Sequence, residues 1–227
     1  MSEISNREWD LEILEPFVTE NRKARLKEVL LQRTRNLVLV LEDIYDPHNV
    51  SACVRSAEAM GLQELHVVNP RYSFSPNPKV TNGADKWLDF FRYSAPAPCI
   101  EALKERGFLI AASALTNNAR PITEVPFDRP VALVMGNEHE GLSQDMQDLA
   151  DVTYCVPMLG FSQSFNISVA TALSLYHAVS TRARLLGSNG DLTKEEQAQL
   201  YHRWVKLSVP MAEAILARYD PNKTTAD

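Results

Sequence analysis

The sequence predicts an α/β domain on a largely parallel sheet, with helical extensions before and after it. Three observations carry this. Short apolar or β-leaning runs recur at residues 37–41, 108–112, 131–135 and 152–156, with a further strand at 64–68. Segments of helical periodicity lie between most of them, so strands and helices alternate. The run at 37–41, LVLVL, is unbroken rather than alternating, as in a strand covered on both faces.

Residues 1–18 carry little pattern, and Pro16 interrupts them. Residues 19–33 read as a basic amphipathic helix with Leu26, Val29 and Leu30 on its apolar side. Arg22, Lys23, Arg25, Lys27, Arg33 and Arg35 lie close together, opposed by Glu20 and Glu28. This is either a solvated face or one that meets RNA. After the first strand, Asp46 and Pro47 supply an N-cap and a first helical residue. Val50, Cys53, Val54, Ala57 and Met60 form that helix's core face, and Gly61 ends it. Residues 69–82, rich in Pro, Ser and Asn, read as a long loop. Residues 87–93 suggest a short strand, and 100–106 a helix closed by Gly107. A short helix is expected at 143–150 before the last strand. From Ser164, a plausible N-cap, a helix runs to about Arg182. It is apolar nearly all round and is expected to be buried on most sides. Residues 187–190 form a linker. Thr193 to Glu196 open a C-terminal helical segment, broken by Pro210 and resumed to about Tyr219. The last residues are expected to be disordered. These boundaries divide the chain into an extension at 1–36, a main domain at 37–186 and an extension at 187–227.

Composition narrows the function. A chain of 227 residues, 45% hydrophobic and 23% charged, suits one soluble main domain with extensions. No apolar run approaches a membrane span, so no membrane partner is expected. The opening segment is acidic and polar, unlike a signal peptide. Cys53, Cys99 and Cys155 have apolar neighbours and no CxxC spacing, which suits reduced core residues of a cytoplasmic protein. The net charge of −6 weighs against a nucleic-acid partner, but local charge matters more and is uneven here. There is no GxGxxG, GxxxxGK[ST] or GxSxG pattern. His139 between Glu138 and Glu140 is a weak metal signal, and no metal is expected.

Three polar clusters remain. In the first, residues 46–55, Arg55 falls opposite the apolar helix face, where periodicity makes it a solvated arginine. Asn49, in the first turn, could be a helix-end hydrogen-bonder. In the second, residues 135–143, Gly136 and Gly141 frame a polar loop straight after a buried strand. It is either a strand-to-helix turn or a ligand-facing loop. The third, residues 155–170, joins a strand end to a helix start through Pro157, Gly160 and a polar Ser-Gln-Ser-Phe-Asn run. A cap alone needs only one of those polar residues, so this loop reads as functional.

The segments NVSACVR, ALVMGNEHEGLS and VPMLGFSQSFNISVATALSLY resemble, in order, the three motifs of the SpoU branch of the SPOUT RNA methyltransferases. The resemblance covers about residues 37–186. The basic N-terminal helix and LTKEEQAQLYHRW resemble the flanks of the tRNA guanosine-18 2′-O-methyltransferase subgroup. It implies a SPOUT-type α/β knot, its C-terminal part threaded into a trefoil, and a homodimer with the last domain helix at the interface. It implies an S-adenosylmethionine-dependent RNA ribose 2′-O-methyltransferase, with tRNA (a guanosine in the D-loop) favoured over ribosomal RNA. The other alternative is a non-catalytic knotted RNA-binding paralogue. By position, Ser113, Gly136, Val156, Met158, Gly160 and Phe165 would serve the cofactor. Arg55 would stand at the reaction centre, supported by Asn49, Glu138, Ser164 and Asn166. Phe161-Ser162 and Phe165 stand where that subgroup more often has Met-Val and Leu.

Overall fold

The computed structural model describes residues 9–69, 71, 74, 77–116 and 118–219. Residues 70, 72, 73, 75 and 76 of the Pro-rich segment and the final residues expected to be disordered lie outside that range. In chain order the elements are α1 (Asp10–Leu14), α2 (Glu20–Leu30), β1 (Leu37–Glu42), α3 (Pro47–Ala59), β2 (Glu64–Val68), α4 (Pro78–Thr81), β3 (Asp89–Tyr93), α5 (Pro96–Glu105), β4 (Leu109–Ser113), β5 (Arg120–Pro121), β6 (Val131–Met135), α6 (Gln144–Leu149), β7 (Val152–Cys155), α7 (Ile167–Leu186), α8 (Lys194–Ser208) and α9 (Ala212–Leu216). They form two compact units, residues 33–191 and residues 1–32 with 192–227.

In the larger unit the strand order is β3-β2-β1-β6-β4-β7-β5, and every neighbouring pair is parallel. β1 is an inner strand, paired with β2 and β6 and covered on both faces, which is why all its residues are buried. Leu37, Leu39 and Leu41 pack with Val50, Cys53 and Val54 of α3 and Leu175 and Ala178 of α7. Val38 and Val40 face the other layer, with Cys99, Ile100 and Leu103 of α5 and Met146 of α6. Alternate side chains of one strand thus serve two apolar layers, as the unbroken apolar run requires. Asp46 caps α3, its Oδ1 accepting from the His48 N–H at 2.8 Å. Gly61 follows the helix at φ +81°.

Four sequence expectations are corrected here. α7 starts at Ile167, because Asn166 rather than Ser164 is its N-cap, accepting from the Ser168 N–H at 2.9 Å. Asn caps as well as Ser, so the polar run offered several candidates. Nor is α7 buried on most sides: Val169, Leu173 and Tyr176 are 45%, 41% and 63% exposed. The sheet and α3 cover only one side of it. The loop at 69–82 contains the short helix α4. Finally, α5 begins at Pro96, and the two-residue β5, too short for any periodicity, closes the sheet edge against β7.

The smaller unit joins the two terminal extensions, read above as separate segments. α1 packs on α8 and α9, and α2 packs on α8. Leu14, Leu26, Leu30, Leu200, Trp204 and Leu216 are buried in it. Lys206, also buried, lies between Asp10 and Glu213 at 3.5 and 3.0 Å. Thr193 and Glu196 form a reciprocal capping box at the start of α8.

Candidate active site at the ends of three adjacent strands

β6, β4 and β7 are neighbours in the sheet, and their carboxyl ends open into one cavity of about 590 Å³. Ser113 ends β4, Gly136 follows β6 and Val156 follows β7, and all three line it. Met158, Ser164, Phe165 and Asn166 of the following loop complete that side, with Glu138 opposite. Ligands of open parallel sheets bind at this kind of position, and the volume suits a small molecule. Gly136 is required by space. A Cβ there would stand 2.4 Å from the Gly141 carbonyl carbon and 2.5 Å from the Leu142 nitrogen. Below the cavity Tyr154 is wholly buried, and burial pushes its phenol up to about 12.

A chain of polar side chains joins the three motifs. Asn49 Nδ2 donates to Glu138 Oε1 at 2.9 Å, and Asn166 Nδ2 donates to Asn49 Oδ1 at 3.2 Å. Asn166 Oδ1 accepts from the Ser168 N–H. Each amide is oriented by its partners: a carboxylate at one end can only accept, and a helix N–H at the other can only donate. Glu138 also accepts from the backbone N–H groups of Tyr45 and Asp46, at 3.1 and 3.4 Å. The carboxylate therefore holds the start of α3 against the β6 loop. Glu138, His139 and Asn166 are shared with a second cavity of about 570 Å³, which Tyr45, Asp46, Pro47 and Asn49 complete.

The β6 loop is anchored from behind. Asn137 and Gly141 exchange two backbone hydrogen bonds at 2.9 Å. Asn137 Nδ2 donates to the Asp43 carbonyl at 2.6 Å. Asp43 has a left-handed backbone, φ +51°, a position uncommon for a residue other than glycine. Its buried carboxylate accepts from Arg71 Nε at 2.6 Å, while Arg71 Nη1 reaches Glu140 at 2.5 Å. Beside it, burial pushes the Glu42 carboxyl up, against hydrogen bonds from the Ser143 N–H and hydroxyl.

The structure thus brings Ser113, Gly136, Glu138, Val156, Met158, Ser164, Phe165 and Asn166 to one cavity and links Asn49 to them. It does not bring in Gly160 or Arg55. Gly160 lines neither cavity, a Cβ added to it would meet no atom within 4 Å, and its φ is not positive. Arg55 is exposed on α3, lines neither cavity and, among the described residues, makes no hydrogen bond or ion pair. Within one chain it is the solvated arginine that periodicity describes. Sequence reasoning missed Tyr45, Asp43 and Arg71. Each lies outside the apolar patterns: the bend after β1 carries Asp43 and Tyr45 to the site, and the segment after β2 brings Arg71 against Asp43. Among the described residues no group of three or more His, Cys, Asp or Glu could hold a metal ion. Nor is any helix among them long and apolar enough to cross a membrane.

Fold and cavity define an α/β protein that holds a small ligand beyond the carboxyl ends of parallel strands. Residues 36–176 match the family model described as the SpoU rRNA Methylase family. A tRNA (guanosine(18)-2'-O)-methyltransferase of Borreliella burgdorferi is 34% identical over 209 residues, which is 90% of this chain and 94% of that protein. The enzyme of that name from Thermus thermophilus is 38% identical over 166 residues, 73% of this chain and 86% of its own. The crystal structure of the A. aeolicus TrmH/SpoU tRNA modifying enzyme superposes with a TM-score of 0.77 at 32% identity, covering 84% of this chain and 98% of that one. The chain belongs to the SpoU methylase family.

Proposed function

We propose that this protein transfers the methyl group of S-adenosylmethionine to a ribose 2′-hydroxyl of RNA, and that its substrate is tRNA, at a D-loop guanosine. One observation carries the reading. The Glu138–Asn49–Asn166 chain has both ends, Glu138 and Asn166, on the wall shared by two cavities, one for a methyl donor and one for an acceptor, with Asn49 lining the second. The names of the similar tRNA enzymes support the choice of RNA.

The residues of the larger cavity fit the donor. Met135, Leu142, Val156 and Phe165 offer apolar surface, and Glu138 offers a carboxylate near a cationic sulfonium. S-adenosylmethionine, when bound, supplies an electrophilic methyl group. The protein's task is alignment, worth up to ~7–11 kcal/mol when a bimolecular step becomes unimolecular. Asn49 and Asn166 hold and orient the ribose hydroxyl. Ser164, lining the larger cavity two residues before Asn166, supplies a further hydroxyl for the ribose. Glu138 fixes the helix turn that carries Asn49. Arg55 supplies a cation for an RNA phosphate and for the developing alkoxide while the hydroxyl proton passes to solvent, since a permanently charged guanidinium is a poor base.

A second copy of the chain completes the picture. Val169, Leu173 and Tyr176 recur at i, i+4 and i+7 on the open face of α7. A homodimer through this face would cover them and would enclose Arg55, which a single chain leaves in solvent. The N-terminal basic helix would contact RNA, and the cytoplasm, where tRNA resides, is the compartment. The knot expected from the resemblance is supported by the likeness to the A. aeolicus enzyme.

The test uses labelled S-adenosylmethionine with unmodified tRNA and with ribosomal RNA fragments. Transfer to tRNA is expected. The Arg55→Ala variant should lose at least about a hundredfold in rate while keeping its thermal midpoint. Transfer to ribosomal RNA alone would replace the substrate. Full activity in Arg55→Ala would remove that residue from the reaction. No heat of binding with S-adenosylmethionine would overturn the enzyme reading in favour of a non-catalytic RNA-binding protein. Leu173→Glu should convert a dimer to a monomer in sedimentation.

A further inference from the structure

The smaller cavity has two rings that methyl transfer as described leaves unused. Tyr45 and His139 stand with ring centroids 6.2 Å apart and planes inclined by 58°. Tyr45 is 59% exposed, and His139 is exposed. Both are mounted on pinned backbone. The Tyr45 N–H is held by Glu138, and the His139 N–H by Asn137 Oδ1 at 2.8 Å. The same carboxylate therefore positions both Tyr45 and the Asn49–Asn166 chain.

We propose that Tyr45 and His139 form a nucleobase subsite for the RNA substrate, next to the ribose position and resting on the functional reading above. Single-stranded RNA is recognised largely by splayed bases stacked on aromatic side chains. The geometry limits how a base can sit. A sandwich between two rings needs them about 7 Å apart, twice the ~3.5 Å contact distance, and nearly parallel. At 6.2 Å and 58° these rings form a corner. The base stacks on the Tyr45 face and meets the His139 ring edge-on, an arrangement aromatic groups favour. The cavity of about 570 Å³ has room for a nucleoside, and Glu138 and Asn166 lie on its boundary with the larger cavity. A base held there keeps its own ribose near the wall where the methyl group arrives.

The full chain is assayed in two ways that fail separately: tRNA binding by fluorescence anisotropy, and methyl transfer with kcat and KM resolved. Tyr45→Ala should weaken tRNA binding and raise KM for tRNA about tenfold, within the range for loss of one base–aromatic stack. Its S-adenosylmethionine affinity and thermal midpoint should not change. Tyr45→Phe keeps the ring face and should restore binding to within about twofold of the parent. Unchanged tRNA affinity and KM in Tyr45→Ala would overturn the subsite, as would failure of Tyr45→Phe to restore them. A parallel loss of S-adenosylmethionine affinity would also overturn it, because Tyr45 would then be only a structural support. If the parent protein binds tRNA but transfers no methyl group, the functional reading falls. A binding loss in Tyr45→Ala would still sustain the subsite.

Discussion

Replacing Gly136 by alanine tests whether the β6 loop shapes the donor cavity. The backbone at Gly136 does not have positive φ, so alanine is not excluded by conformation. It is excluded by space: the new methyl would stand 2.4 Å from the Gly141 carbonyl carbon, 2.5 Å from the Leu142 nitrogen and 2.6 Å from the Gly141 oxygen. Ordinary carbon contacts begin near ~3.5 Å, so about 1 Å must be found. Backbone atoms cannot swing aside as a side chain would, and the loop is closed by the paired Asn137–Gly141 hydrogen bonds. Overpacking of this kind costs about 1–3 kcal/mol or more. The strain should lift the loop and carry Glu138 away from Asn49. A displacement of about 1 Å near a reaction centre can cost on the order of a hundredfold in rate. Gly136→Ala should therefore melt several degrees lower, bind S-adenosylmethionine at least about tenfold more weakly by calorimetry, and transfer methyl groups slowly. Gly160→Ala is the control. Nothing lies within 4 Å of its added methyl, and it should match the parent. Parental affinity and melting in Gly136→Ala would refute the argument that this close approach builds the cavity.

Three further outcomes are expected. Asn166→Asp should keep the α7 cap, since Asp caps as well as Asn, but lose the Nδ2 donor to Asn49. Melting near the parental temperature with methyl transfer reduced at least about tenfold is the expected pair of results, and parental activity would remove Asn166 from the site. Burial alone would raise the Glu64 carboxyl, but His66 3.5 Å away and hydrogen bonds from Arg106 and Arg35 bring it down to about 2 from an ordinary 4.5. A lowered folded-state pKa stabilises above pH 4.5 and loses that contribution as pH falls towards 2. In denaturant titrations the advantage of the parent over Glu64→Gln, at most about 3 kcal/mol, should shrink below pH 5. A difference independent of pH would contradict this. Thr193→Ala removes half of the α8 capping box and should cost about 1 kcal/mol, seen as faster amide exchange at the start of α8. S-adenosylmethionine affinity should stay the same, and a change in it would contradict the division into two units.

Much of the fold was legible in local sequence. Asp46 and Pro47 mark the start of α3, Gly61 and Gly107 mark helix ends with positive φ, and LVLVL marks an inner strand. These signals work because caps, left-handed glycines and two-sided burial are decided within a few residues. The 164–166 run was harder. Ser164 and Asn166 are equally good caps by residue type, and Asn166, which caps the helix, also donates to the Asn49 side chain 117 positions away in the chain. Likewise, an all-round apolar α7 implied a helix covered on every side. One chain supplies only one covering face, and no local pattern says what covers the other.

By itself the sequence determined the order of the main strands and helices, though not α4 or β5, together with the parallel sheet and the three motifs that mark the family. These follow from hydrophobic period and from residue types that short-range sterics and hydrogen bonding demand. Only the tertiary structure decided which motif residues meet. β6, β4 and β7, not consecutive in the chain, end side by side and make one cavity. Glu138, Asn49 and Asn166 become a single oriented chain of hydrogen bonds. Tyr45 joins the site and Arg55 stays in solvent, because hydrogen-bond reach is about 3 Å and the crossovers of the sheet, which no window of sequence contains, set which side chains fall within it.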